Sequence, residues 1–322
     1  SVEWAADGKT LFYVSEDAVT KRSNQLWRLE VGGSAELVFE ETDELFALGL
    51  TRTRDGKYLM AGSGATDTAE WRVLDAATPR GEFTVVLPRE KGHRYELDHR
   101  DGFFYVVTDK DAPNFRVVEL PVAAHDLSAA RELVAHRPDV LVSGLDVFRE
   151  HAVVSERFQA LNRFRVLTFA TGVWREIAFP ETVHAAFPGA VPEFDSATFR
   201  ISYQSPATPP CTYDYDFEML GRTLRKQQEV FGYDPTRYKA ERLWATARDG
   251  VQVPISIVYR ADVARDGQAP LLLYAYGSYG NAMPATFDPL RVSLLDRGVV
   301  FALAHIRGGN ELGEQWHKDG ML

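Results

Sequence analysis

The sequence has a single cysteine, Cys211, in 322 residues. An internal disulfide is therefore excluded, and a lone thiol favours a reducing, cytoplasmic setting. No apolar run approaches the roughly 18 residues that a bilayer-spanning helix requires. Positive charge is also short: 36 Lys and Arg against 46 Asp and Glu leave a formal net charge of −10. That balance argues against nucleic acid as the main partner and is compatible with a cationic one. The first ten residues, SVEWAADGKT, contain neither an initiator Met nor a signal-peptide pattern. They read as the interior of a longer protein. Six of the eight histidines (His93, His99, His125, His136, His151 and His184) precede residue 239, without the His-x-x-x-His spacing of a metal site. Cys211 follows Pro209-Pro210 with no companion His or Cys nearby, as an inert thiol does. No metal and no organic cofactor is expected.

What the sequence does have is a repeat. A turn followed by a strand recurs at Asp7-Gly8, Asp55-Gly56 and Asp101-Gly102, and in degenerate form at Arg149-Glu150 and Ser196-Ala197. The intervals are 46 to 48 residues. A second marker keeps step with it, an aromatic followed four times in five by arginine: Trp27-Arg28, Trp71-Arg72, Phe115-Arg116, Phe164-Arg165 and Tyr213-Asp214. Within each copy, short strand-type runs alternate with polar turns, most legibly at 46–51, 58–61, 70–74 and 83–87. The third copy repeats this at 95–98, 103–107, 115–120 and 132–135. Four antiparallel strands per ~45 residues is the period of a propeller blade, in which each sheet covers its neighbour's face. Five blades are visible, the first short of its initial strand. The aromatic of each pair is expected to pack between sheets, with the arginine pointing the other way.

The repeat ends near residue 238. Residues 241–247, the turn Arg248-Asp249-Gly250 and residues 251–259 read as an antiparallel hairpin. Two apolar runs follow, 271–276 and 298–305, with the continuity of strands buried on both faces. Each leads into a glycine-rich turn, Gly277–Gly280 and Gly308-Gly309, and helix-spaced Leu290, Val292, Leu294 and Leu295 lie between them. An antiparallel opening followed by strand, turn, helix and strand has the form of the beginning of an α/β-hydrolase sheet, whose crevice lies beyond the strand ends. A serine elbow of the form Gly-x-Ser-x-Gly is not found. Ser278 has tyrosine two positions before it, and Gly62-Ser63-Gly64 lies inside a blade. His305 and His317 have no serine motif to serve, so the chain contains no recognisable triad.

Tyr274-Ala275-Tyr276-Gly277-Ser278-Tyr279-Gly280, Leu294-Leu295-Asp296-Arg297-Gly298, His305-Ile306-Arg307-Gly308-Gly309-Asn310-Glu311-Leu312-Gly313 and Asp319-Gly320 closely resemble the prolyl oligopeptidase family of serine peptidases. The Tyr276–Gly280 run and the Ala247–Val251 turn resemble its oligopeptidase B branch, as do Asn24–Arg28 and Leu87-Pro88-Arg89 more weakly. The resemblance implies a mainly β chain: a partial β-propeller, about five of seven four-stranded blades over residues 1–238, then the N-terminal part of an α/β-hydrolase domain over residues 239–322. It implies an endopeptidase that cleaves short peptides after Lys or Arg, with the propeller limiting substrate size. The serine, aspartate and histidine would lie beyond residue 322, leaving this chain inactive by itself. One catalytic role carries over, the oxyanion-hole hydroxyl of Tyr276. Gly277, Gly280, Arg307, Gly308 and Gly309 would shape the turns beside it, with Glu311 pairing Arg307.

Two positions depart from the family pattern. Asn310 stands where a third glycine is usual, and asparagine tolerates positive φ. Residues 281–287 have no carboxylate before Asp288, where oligopeptidase B enzymes tend to have acidic residues. That puts strict dibasic preference in doubt. The competing reading is a non-catalytic propeller module that binds peptides or partner proteins.

Overall fold

Asp-Gly makes a tight turn because the carboxylate accepts backbone N–H groups while glycine takes a left-handed φ. In the computed structural model, which describes residues 1–321, Asp7 accepts from the amides of Lys9 and Thr10 at 2.9 and 2.8 Å. Asp55 repeats the arrangement with the amide of Lys57 at 2.9 Å. Each such turn joins two strands of one sheet.

The described residues form six four-stranded sheets, the first five of which are sequential meanders. The first comprises β1 (Val2–Trp4), β2 (Thr10–Glu16), β3 (Ser23–Glu30) and β4 (Ala35–Glu40). The second comprises β5 (Ala47–Arg52), β6 (Tyr58–Gly64), β7 (Ala69–Asp75) and β8 (Thr84–Val85). The third comprises β9 (Tyr95–Arg100), β10 (Phe103–Thr108), β11 (Arg116–Pro121) and β12 (Arg131–Val134). The fourth contains β13 (Val140–Val147), β14 (His151–Phe158), β15 (Leu161–Thr168) and β16 (Val173–Glu176). The fifth contains β17 (Ala185–Pro188), β18 (Thr198–Gln204), β19 (Cys211–Asp216) and β20 (Arg222–Gln227).

By packing, the chain condenses into two compact units. One holds residues 1–136, 145–150 and 192–195; the other holds 137–144, 151–191 and everything from Ser196. The core of the first unit lies between sheets. Phe12 and Leu26 of the first sheet meet Leu48, Leu50, Leu59 and Leu74 of the second. Met60 and Val73 of the second meet Tyr95, Phe104, Val106 and Val118 of the third. Leu59 and Met60 are consecutive yet belong to different clusters, because successive strand side chains point to opposite faces and both faces are covered.

The aromatic-arginine pairs follow from the same geometry. The Trp71 indole N–H donates to the Tyr95 carbonyl of the third sheet at 2.7 Å. The Arg72 guanidinium lies 4.0 Å from the centroid of Phe39, beside the first sheet. The arginine does point the other way, but into a second intersheet space rather than into solvent. In the second unit, Phe164 meets Phe199 edge-on at 5.3 Å between centroids. Phe115 departs from the pattern: it precedes its strand and takes φ +61°.

The sixth sheet, within the second unit, comprises β21 (Tyr238–Thr246), β22 (Gln252–Arg260), β23 (Leu271–Tyr274) and β24 (Val300–Ala304). Its spatial order is β21-β22-β24-β23. β22 pairs with β24 antiparallel, and β23 with β24 parallel. The parallel pair is connected through α1 (Pro289–Leu295), which starts cleanly because Asp288 accepts the Leu290 amide at 2.9 Å and Pro289 sits where no N–H is needed. The helix buries Leu295 with Tyr238 and Val258. A second, short helix, α2 (Glu314–Lys318), follows the last glycine turn.

One expectation about this sheet changes. β24 is buried at Ala302, Leu303 and Ala304, but β23 is an edge strand with Leu271 60% and Leu273 58% exposed. Continuous apolarity marks a strand that can be covered on both faces; among the described residues β23 has β24 as its one strand neighbour.

Candidate active-site wall

Parallel neighbours end on the same side of a sheet, so the turns that follow β23 and β24 are brought together. The Gly280 amide donates to the Gly308 carbonyl at 2.9 Å, and Gly280 bridges Gly309. Gly308 sits at φ +98°, and a Cβ there would lie 2.1 Å from the Gly277 carbonyl oxygen. No side chain fits between these two segments. The Gly308 amide donates to the Trp316 carbonyl at 3.1 Å, and the His317 Nδ1 lies 2.8 Å from the Gly308 carbonyl, a contact that requires Nδ1–H. Helix α2 thus braces the second turn from behind.

Tyr276 stands at the start of the first turn, just past β23, and is 44% exposed. Tyr279, at φ +57° and 83% exposed, occupies the tip. The wall therefore presents Tyr276, the less exposed of its two tyrosines, on a backbone clasp that glycine alone permits. Such a group can donate to a developing oxyanion. The structure brings Tyr276, Gly277, Gly280, Gly308 and Gly309 into this one corner.

Arg307 and Asn310 behave differently from expectation. The Arg307 guanidinium donates to the Asp249 carboxylate at 2.5 Å, tying the second turn to the β21–β22 hairpin. It does not pair with Glu311, because the chain reverses at Gly308 and sends the two side chains apart. Asn310 lies outside the left-handed region, and its Oδ1 accepts from Arg157 on β14. Its tolerance of positive φ is therefore not what this position uses.

Glu311 belongs instead to a buried group that motif reading missed. Its Oε1 accepts the Met283 amide at 3.0 Å and lies 3.8 Å from His305 Nδ1. On the other side of the ring, His305 Nε2 is 2.8 Å from the Ser256 hydroxyl. Burial holds this imidazole below its ordinary pKa. Ser256, His305 and Glu311 are 2%, 0% and 2% exposed. The residue types are those of a serine-peptidase triad, but no substrate carbonyl reaches a hydroxyl enclosed in mid-strand, so the group is structural. The available signal was Ser256, a polar residue set among Ile255, Ile257 and Val258. Among the described residues, no three His, Cys, Asp or Glu side chains are grouped to hold a metal. No described helix is long and apolar enough to cross a membrane.

Residues 1–228 match the profile of the prolyl oligopeptidase N-terminal β-propeller domain, and residues 285–322 match that of the prolyl oligopeptidase family. The chain belongs to the prolyl oligopeptidase family. It is 43% identical to dipeptidyl aminopeptidase BI of Pseudoxanthomonas mexicana, over 99% of this chain and 44% of that one. It is 32% identical to protease 2 of Moraxella lacunata, over 100% of this chain and 46% of that one. Among solved structures, oligopeptidase B from Leishmania major superposes with TM-score 0.89 at 33% identity, covering 99% of this chain and 47% of that one. Oligopeptidase B from Trypanosoma brucei with covalently bound antipain, in its closed form, gives 0.90 at 32%, covering 100% and 47%. The chain thus spans about half the length of the relatives it matches. Membership of the prolyl oligopeptidase family gives the five meanders their identity as propeller blades, and makes the sixth sheet the N-terminal part of an α/β-hydrolase domain.

Proposed function

We propose that the intact protein is a serine endopeptidase of the oligopeptidase B type, hydrolysing short peptides after Lys or Arg. The propeller, residues 1–238, limits substrate size, and residues 239–322 open the peptidase domain. The serine, aspartate and histidine come from sequence beyond residue 322, and the 322-residue chain alone does not turn over substrate. The serine attacks the scissile carbonyl, the histidine takes and returns its proton, and Tyr276 donates to the oxyanion. A preorganised donor of this kind contributes about 2.7–4 kcal/mol to the transition state.

The observation that carries this reading is the half-exposed Tyr276 on its clasped glycine turn. It stands beyond the ends of two parallel strands, where this sheet architecture places its crevice. The net charge of −10 suits a basic substrate. The test is hydrolysis of an amino-blocked arginyl reporter by the intact protein, with Tyr276→Phe as the probe. The variant should lower kcat by about 10²–10³-fold and leave KM nearly unchanged. An unchanged kcat removes Tyr276 from the mechanism, and an intact protein without serine-dependent turnover leaves a peptide-binding propeller module.

A second specificity has its own support. Residues 281–287 have no carboxylate, and one relative at 43% identity is named a dipeptidyl aminopeptidase. Removal of dipeptides from a free amino terminus is therefore the competing reading of the same site. Faster turnover of an unblocked dipeptidyl reporter than of the amino-blocked one would select it.

A further inference from the structure

We propose that Glu311 is a positioning residue for the turn that carries Tyr276; this rests on the oxyanion role proposed above. Its carboxylate touches both arms of the clasp. Oε1 accepts the Met283 amide at 3.0 Å, on the stretch that leaves the first turn. Oε2 lies against Gly309 in the second turn, where a Cβ would come within 2.1 Å of it. Gly309 is a glycine here to admit a carboxylate.

Burying a carboxylate is costly unless its environment repays the lost hydration. Glu311 is 2% exposed, and its Oε2 has no hydrogen-bond partner. Among the described residues no guanidinium is bonded to it. His305 Nδ1 lies 3.8 Å from it, and the charge of Glu311 acts on Arg157; Arg242, whose charge acts on the same His305, leaves its buried Nε and one terminal nitrogen unpaired. A carboxylate kept in such a place is better explained by geometry than by stability. The backbone around it carries the same implication. The Glu311 carbonyl accepts the Ala160 amide at 3.1 Å, and the neighbouring Asn310 side chain accepts from Arg157. Residues 310–311 are thereby anchored on the β14–β15 hairpin, while the Glu311 side chain reaches forward to the clasp. Removing the carboxylate frees residues 281–283 and lets the Tyr276 hydroxyl drift, and misplacement of about 1 Å can cost about 10²-fold in rate.

The test uses the intact enzyme and the variants Glu311→Ala, Glu311→Asp and Tyr276→Phe, alone and combined. Two readouts are taken: kcat and KM on the arginyl reporter, and amide hydrogen exchange at Met283 and Gly280. Glu311→Ala should speed exchange at both amides at least about tenfold and lower kcat by about 10- to 100-fold with little change in KM. Glu311→Asp, which withdraws the carboxylate by one methylene but keeps its charge, should do the same more weakly, and it carries the comparison if the alanine variant does not fold. In the Tyr276→Phe background, Glu311→Ala should cost no more than about another twofold, because the two act through one group. Fully additive losses overturn the proposal, and so does unchanged exchange at both amides. If Tyr276→Phe alone leaves kcat intact, the oxyanion role fails, and the positioning role is then decided by the exchange rates.

Discussion

The Ser256 hydroxyl lies 2.8 Å from His305 Nε2 inside the sixth sheet, enclosed between β22 and the end of β24. A nucleophile and its base need this spacing, yet both are shut away from any peptide. In the intact protein, a serine-reactive fluorophosphonate should leave the peptide containing Ser256 unlabelled. Ser256→Ala should keep kcat within about threefold while costing about 1–2 kcal/mol of stability, since it strands a buried ring nitrogen. Labelling of Ser256, read by mass spectrometry of the digested protein, would assign it a chemistry that its burial denies.

Two glycines with similar backbone angles should respond very differently to a methyl group. Gly298 has φ +81° and open space where a Cβ would go, whereas Gly308 has φ +98° and the Gly277 carbonyl 2.1 Å away. Gly298→Ala should cost only the left-handed strain, about 1–2 kcal/mol, in a urea titration. Gly308→Ala should cost clearly more and, on the proposed peptidase reading, lower kcat of the intact protein. Equal losses for the two would mean that the clasp can open without penalty.

Glu156 is fully buried on β14, with Arg163 Nε and Arg165 Nε each donating to it at 2.8 Å and Arg137 also bound. Burial pushes its pKa up, but the hydrogen bond and charge of Arg165, then of Arg137, outweigh that and leave it below the usual value. Such a group contributes stability above its unfolded pKa and loses it as pH falls through the lowered folded one. Glu156→Gln should therefore cost about 3–5 kcal/mol at pH 7, by removing the buried charge on which three guanidinium groups converge. The gap between variant and parent should shrink below pH ~4.5. A gap that stays constant down to pH 3 would dissociate the stabilisation from the carboxylate charge.

Asp98 on β9 carries the opposite sign. Burial raises its pKa to about 6, against the backbone amides of Arg54 and His99 that donate to it and the charge of Arg54. The protonated form is the one the fold prefers, so this stability is complete below pH ~4 and is lost as pH rises through ~6. Asp98→Asn keeps an oxygen for the same two amides. It should raise stability at pH 7–8 by roughly 1–3 kcal/mol, at about 1.36 kcal/mol per unit. The advantage should vanish near pH 3.5. A variant less stable than the parent at pH 8 would refute the assignment.

The blades were legible in the sequence because their signals are local. Asp-Gly turns, two-residue alternation and the aromatic markers each act within a few residues. The strand expected at 83–87 is the instructive exception. It shortens to Thr84–Val85 because the Leu87 amide faces the Tyr95 hydroxyl at 3.3 Å instead of a strand partner. The same boundary holds at the candidate site. Tyr276 and the glycine turns announce themselves as motifs, but the Glu311 partner does not. Arg307 and Glu311, four apart, would face each other on a helix. Here the backbone turns at Gly308 and Gly309, so Arg307 finds Asp249 and Glu311 finds Met283. Which side chains meet is decided by tertiary geometry that no spacing encodes. The exposure of β23 is of the same kind, since apolarity records what a strand can bury rather than what covers it.

Gly277 and Gly308 meet main chain to main chain, with no side-chain atom between them. The meeting point of the two turns is therefore main chain, while the Glu311 carboxylate behind it spans Met283 and Gly309. Exposed Tyr279 stands outside both contacts, so its side chain can be exchanged without disturbing them. On the proposed peptidase reading, substrate preference can be redesigned on the rim of this wall while the contacts behind it stay unchanged.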